Sequence, residues 1–272
     1  MKSKIFQAFR ELQDDLGRID ASFAYIELCL KFFEHSAASS DNPLKFKKNQ
    51  AEHHAIRVYL LNDSDPQRNV YYSAVIAIHS EWDRFLYGLT NELQEFNYEK
   101  IDLGLKQGKV SRLNFFLMMI NKIAPGKLSD LPEILIDICD YLRLLRNYYA
   151  HRLTAPSKEC VKVFKKIQKN SQLFPIKFGK LKLSSKCGEL SFDDVLILTI
   201  ATKILAEEIC NRLAPEAICL LEHPATLNFI NHEKLKTKNI SGNSLELFLY
   251  DRFGLDRKTA QQLTKQYEEA LV

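Results

Sequence analysis

The sequence predicts an all-helical protein, a helical bundle with one small β-hairpin insertion, a long N-terminal helix and a C-terminal helical appendage. Three observations carry this. Apolar residues recur four and three positions apart over long stretches, which is the period of one helix face. Alternation of period two is confined to residues of about 173–190. Helix-start signals, an Asp or Ser followed three residues later by an acid, stand where two of the periodic stretches begin.

In chain order, Ile5, Phe9, Leu12, Leu16, Ile19, Phe23, Ile26, Leu30 and Phe33 form one apolar seam, so the chain opens with a long amphipathic helix. SAASSDNPLK breaks it, and a second helix is expected around Ala51 to Leu61 before the loop NDSDPQ. Tyr71, Val75, Ile78, Trp82, Phe85, Leu89 and Leu93 give the next long helix. After DLGLKQG, the residues Val110, Leu113, Leu117 and Ile120 give a shorter one, ended by APGK. Asp130 with Glu133 is read as the capped start of the helix whose seam is Leu131, Leu135, Ile138, Leu142, Leu145 and Tyr149. Phe174, Ile176 and Phe178, then Gly179, then Leu181 and Leu183 alternate with lysines as in a hairpin. Ser191 with Asp194 opens a long helix to about Leu213, and two short helical stretches separated by Gly254 close the chain. The expected organisation is residues 1–66 as an N-terminal extension, 67–213 as the core with its insertion, and 214–272 as the appendage.

Composition limits the function classes. With 272 residues, 46% of them hydrophobic, the chain can bury a large core. A net charge of +4 is too mild to mark a nucleic-acid binder by itself, so the distribution of charge must decide. The six cysteines, Cys29, Cys139, Cys160, Cys187, Cys210 and Cys219, are scattered, form no C-x-x-C and lie mostly in apolar helical patterns. That pattern is expected of reduced thiols in a cytoplasmic protein. No apolar run suits a signal sequence or a membrane span, so no membrane association is expected. His53 and His54 are adjacent, and His35, His79, His223 and His232 lack ligand spacing, so neither a metal nor any other cofactor is expected.

The chemistry concentrates in RNYYAH, Arg146 to His151, at the C-terminal end of the 130–150 helix. Asn147 and His151 are four apart and project from one face, and Arg146 is one step around with a reach long enough to cover that face. Asp137, Asp140 and Arg143 extend the same polar stripe toward the helix start. The competing reading is the wet face of an amphipathic helix, with Arg and His favourably placed at the negative end of the macrodipole.

RNYYAH resembles the R-[polar]-x-x-x-H motif of the HEPN (higher eukaryotes and prokaryotes nucleotide-binding) superfamily, small antiparallel helical bundles that are often metal-independent endoribonucleases. The resemblance extends to the order of elements over about Gln67 to Leu213, from SAVIAIHSEWDRFLYGL to FDDVLILTIATKIL. It implies catalytic roles for Arg146, Asn147 and His151. RNA cleavage without a metal uses the neighbouring 2′-OH as nucleophile, which needs a proton acceptor and a cation at the crowded phosphate. His151 is then the general base or acid, Arg146 the phosphate clamp and Asn147 a positioning group. The resemblance further implies 2′,3′-cyclic phosphate and 5′-OH products and a homodimer with a shared cleft. By analogy the role is that of a toxin or phage-defence effector acting on tRNA or other host RNA, with an antitoxin or sensor protein as partner.

Other residues are weighed against plainer roles. Lys158, Lys162, Lys165, Lys166, Lys169, Lys177, Lys180, Lys182 and Lys186 follow the motif against the single carboxylate Glu159. They make either an RNA-tracking surface or ordinary solubilising charge. Tyr148 would stack on a base or pack in the core. Glu81 and Arg84 would support the site or form a solvated pair. DNA is not an expected ligand. Two further classes stay open: a catalytically silent nucleotide-sensing or protein-binding bundle, and a purely structural interaction protein that uses its N-terminal seam.

Overall fold

A computed structural model of the chain describes residues 2–55, 66–96, 98–99, 101–103, 111–151, 153–173, 177–237 and 242–269. Ten α-helices lie among these residues. They are α1 (Gln7–Ala38), α2 (Pro43–His53), α3 (Pro66–Glu95), α4 (Arg112–Ile123), α5 (Glu133–Ala150), α6 (Lys158–Lys169), α7 (Phe192–Leu213), α8 (Pro224–Thr237), α9 (Gly242–Phe253) and α10 (Arg257–Glu269). Short 3-10 helices stand at Lys2–Ile5, Ser171–Leu173 and Ala217–Leu220. The protein is therefore all-α, and no described helix is long and apolar enough to cross a membrane.

Packing groups the chain into two compact units. The first comprises residues 1–15, 80–140 and 201–272, and the second residues 16–79 and 141–200. Four long helices, α1, α3, α5 and α7, each supply a stretch to both units.

In the first unit Phe6, Phe9, Trp82, Leu89, Phe116, Leu135 and Ile209 are buried. The opening N–H groups of α1 at Gln7 and Ala8 donate to the Glu92 carboxylate at 2.7 and 2.6 Å, so a residue distant in sequence caps the helix. The C-terminal helices pack around Leu245, Leu249, Phe253 and Leu263, with Ile5 from the chain start in the same cluster. Gly254, at φ +58°, separates α9 from α10, and a Cβ there would lie 2.9 Å from the Lys4 carbonyl. In the second unit Leu16, Val75, Ile78, Leu142, Leu145, Phe164 and Val195 are buried.

Several expectations change. α2 begins at Pro43, well before Ala51, because Asn42 accepts from the Lys45 N–H as N-cap and Pro43 takes the first helical position. Residues 56–61, the rest of that expected helix, lie outside the described residues. α5 begins at Glu133, since the first helical bonds run to the Pro132 carbonyl. The residue before a proline is held out of helical backbone, so Asp130 cannot cap.

No strand is present among the described residues of 173–190, so the expected hairpin is not seen there. Lys182 N–H donates to the Asp193 carboxylate at 3.1 Å and Ser184 N–H to that of Asp194 at 2.9 Å. Groups that would pair in a ladder are thus taken by the first turn of α7. Phe174 and Ile176 lie outside the described residues. The seam is α-helical from Phe9 onward, with Ile5 in the preceding 3-10 helix, but its second half is thinly covered: Ile19, Phe23, Leu30 and Phe33 are half-buried, and Tyr25, Leu28 and Phe32 are 69%, 66% and 72% exposed.

Candidate functional site

All the motif residues belong to the second unit. Leu142, Leu145 and Tyr149 bury the inner face of α5, which leaves Arg143, Arg146 and Asn147 half-buried on its other side. The Arg146 guanidinium donates from Nη1 to the Asn147 side-chain oxygen at 3.2 Å, fixing the two heads together. The helix ends at Ala150, and the His151 N–H bonds the Asn147 carbonyl at 3.2 Å, so His151 follows Asn147 by one turn. Leu153 N–H reaches back to the Tyr148 carbonyl at 3.1 Å and closes the helix end. His151 is exposed to solvent.

Arg143 donates to Glu159 at 3.2 Å, which ties the start of α6 to α5. That assigns Arg143 a structural contact. On α6, Cys160, Phe164 and Ile167 are buried, and Ser157 accepts from the Cys160 N–H as N-cap. Lys158, Lys162, Lys165 and Lys169 fall four, three and four apart on the opposite face, all exposed, with exposed Lys166 at its edge. Lys180 and Lys182 are exposed on the following loop, and Lys186 pairs with Glu189 at 3.1 Å.

Tyr148 is buried at 8% exposure, the packing alternative for that residue, yet its ring edges a cavity of about 390 Å³. Gln67, Arg68, Tyr71, Cys187 and Glu189 also line it. Tyr149 stacks on Tyr72 with ring centroids 3.7 Å apart, and Arg68 lies over the Tyr72 ring at 5.1 Å. Tyr149 donates to the Gly188 carbonyl at 3.0 Å, and the Gly188 N–H donates to the Tyr141 oxygen at 3.4 Å. Burial pushes both phenols well above their ordinary range. Gly188, at φ +82°, sits so close that a Cβ would meet Pro156 at 2.9 Å and Tyr148 at 3.3 Å.

Behind the cavity is Glu27, 5% exposed, whose carboxylate accepts from Tyr71 at 2.8 Å and Gln67 at 3.1 Å and pairs with Lys31 at 3.1 Å. Burial alone would raise its pKa, but bonds from Gln67, Tyr71 and Lys31 outweigh that and hold it below the usual range. Glu81 and Arg84 belong to the first unit, where Arg84 pairs with Glu81 at 2.6 Å and with Asp15. No group of three metal-ligating side chains occurs among the described residues.

Arg146, Asn147, His151 and the lysines are readable from local spacing in the sequence, whereas the cavity is not. Its walls come from residues 67–71, 148 and 187–190, segments whose proximity no local spacing records. The comparisons with known proteins add nothing to this geometry: no family model, no curated protein and no solved structure matches the chain.

Proposed function

We propose that the chain is a metal-independent endoribonuclease with its active site at Arg146, Asn147 and His151. The observation that carries this reading is the bonded Arg146–Asn147 pair one helical turn before an exposed His151, in the same unit as the α6 lysine face. A nuclease of this kind must deprotonate a 2′-OH and stabilise a phosphorane. His151, exposed to solvent, takes or returns the proton. Arg146 supplies a permanent planar charge for the non-bridging oxygens, and Asn147 holds the guanidinium in place. Tracking of the RNA backbone falls to Lys158, Lys162, Lys165 and Lys169, with Lys180 and Lys182 beyond them.

The resemblance of RNYYAH to the HEPN motif supports the same chemistry and adds a homodimer with a shared cleft. The exposed Tyr25, Leu28 and Phe32 on α1 are apolar surface suited to such pairing. A toxin or defence role on tRNA, with an antitoxin or sensor as partner, is proposed on that resemblance alone.

The second reading is a silent nucleotide-binding module, favoured by the polar cavity at Arg68, Tyr71 and Tyr148. His151→Ala and Arg146→Ala separate the two. The nuclease reading expects each variant to keep wild-type helicity and to lose on the order of 100-fold or more of RNA cleavage. Wild type that leaves RNA intact while binding a nucleotide at the cavity favours the module.

A further inference from the structure

Outside the motif, the second unit brings two thiols together that lie 27 residues apart in sequence. Cys160 Sγ and Cys187 Sγ are separated by 3.5 Å, and neither is in a disulfide. Cys160 is fully buried on the inner face of α6, whereas Cys187 is half-buried and lines the cavity beside Tyr148. One sulfur is thus reachable from solvent and the other waits behind it, the arrangement of an attacking thiol and a resolving thiol.

We propose that Cys160 and Cys187 are a reversible redox pair that is oxidised to a disulfide by exchange with a low-molecular-weight disulfide. A disulfide needs sulfurs about 2.05 Å apart, so closure from 3.5 Å asks for roughly 1.5 Å of sulfur movement. The Cys160 thiol against the Cys187 sulfur favours the Cys187 thiolate; partial burial opposes it and a bond with Tyr141 adds to it, and the balance lies below the usual thiol range.

In the first step the Cys187 thiolate attacks one sulfur of R–S–S–R. The S–S bond breaks, one R–S⁻ leaves and takes up a proton, and Cys187 carries the mixed disulfide. In the second step Cys160 gives up its proton and attacks the Cys187 sulfur. The protein disulfide forms and the second R–S⁻ departs with that proton. Two protein thiols are oxidised by two electrons in all, and one small disulfide becomes two thiols.

The bridge would join α6 to the loop whose next residue, Gly188, holds Tyr141 and Tyr149 of α5. It therefore bears on the helix that carries RNYYAH, yet it rests on the thiols alone and stands or falls apart from the nuclease reading.

The test treats reduced full-length protein with oxidised glutathione, alkylates the remaining thiols and maps disulfides by mass spectrometry of a non-reducing digest. The expected product is a Cys160–Cys187 linkage, two hydrogens lighter and reversed by dithiothreitol. Cys160→Ser should stop at a glutathione adduct on Cys187, and Cys187→Ser, a change at a half-exposed position, should give no internal bridge. The proposal is overturned if wild type gains adducts only at the exposed Cys29 and Cys219, if Cys187 holds its adduct while Cys160 stays reduced, or if Cys187 pairs elsewhere.

Discussion

At Glu27 a carboxylate is kept ionised although it is almost wholly buried, because Tyr71, Gln67 and Lys31 all donate to it. Its folded pKa is depressed, so the stability it contributes is present above the unfolded carboxylate range and is lost as pH falls through the folded value. Tyr71→Phe removes one donor to a charged acceptor and should cost about 1.5–3 kcal/mol, read as a lower urea midpoint at neutral pH. The same variant should begin to lose stability at a higher pH than wild type. His223 titrates in a separate window. Its Nδ1 accepts from the Ala225 N–H at 3.1 Å, which requires an unprotonated nitrogen, and its Nε2 meets Glu95 at 3.1 Å. Burial lowers its pKa against the partial opposition of Glu95, so the unfolded chain binds the proton first as pH drops below about 6.5. Stability should fall across that window, and His223→Gln should flatten the slope in urea titrations between pH 7 and pH 5. Neither residue was legible beforehand, since partners such as Glu27 and Tyr71 are 44 positions apart.

At the scale of elements, α6 separates its two faces cleanly: Cys160, Phe164 and Ile167 inward, Lys158, Lys162, Lys165 and Lys169 outward. Replacing the four outward lysines with Gln should leave the helix folded, because no buried contact is removed. In a His151→Ala background, RNA affinity should fall and the salt dependence should flatten by about 0.7 in slope for each lysine that holds a phosphate. Fluorescence anisotropy across a salt series measures this, and an unchanged slope would return the lysines to a solvated face. The seams of α3, α5 and α7 were readable because each buries one stripe against neighbours, as Trp82, Leu145 and Leu198 do. Pro132 overrides the Asp130 capping signal at the start of α5, and Asn42–Pro43, a breaker by composition, caps and opens α2. The expected hairpin shows how little alternation decides once carboxylates at Asp193 and Asp194 accept the N–H groups instead.

For the whole molecule, periodicity predicts helices but not their grouping, which is why Ile5 shares a core with Phe253 and Leu263 from the far end of the chain. The motif was legible because Arg146, Asn147 and His151 are local in sequence; the thiol pair and the cavity were not, because each is assembled from distant segments. Under the proposed function, RNYYAH cleaves RNA without a metal. The most direct test incubates purified wild-type protein with bulk tRNA and a structured RNA in excess EDTA, beside His151→Ala and Arg146→Ala proteins of unchanged helicity. The expected result is cleavage by wild type alone, with 2′,3′-cyclic phosphate and 5′-OH ends. Intact RNA with all three proteins, or equal cleavage by all three, would contradict it.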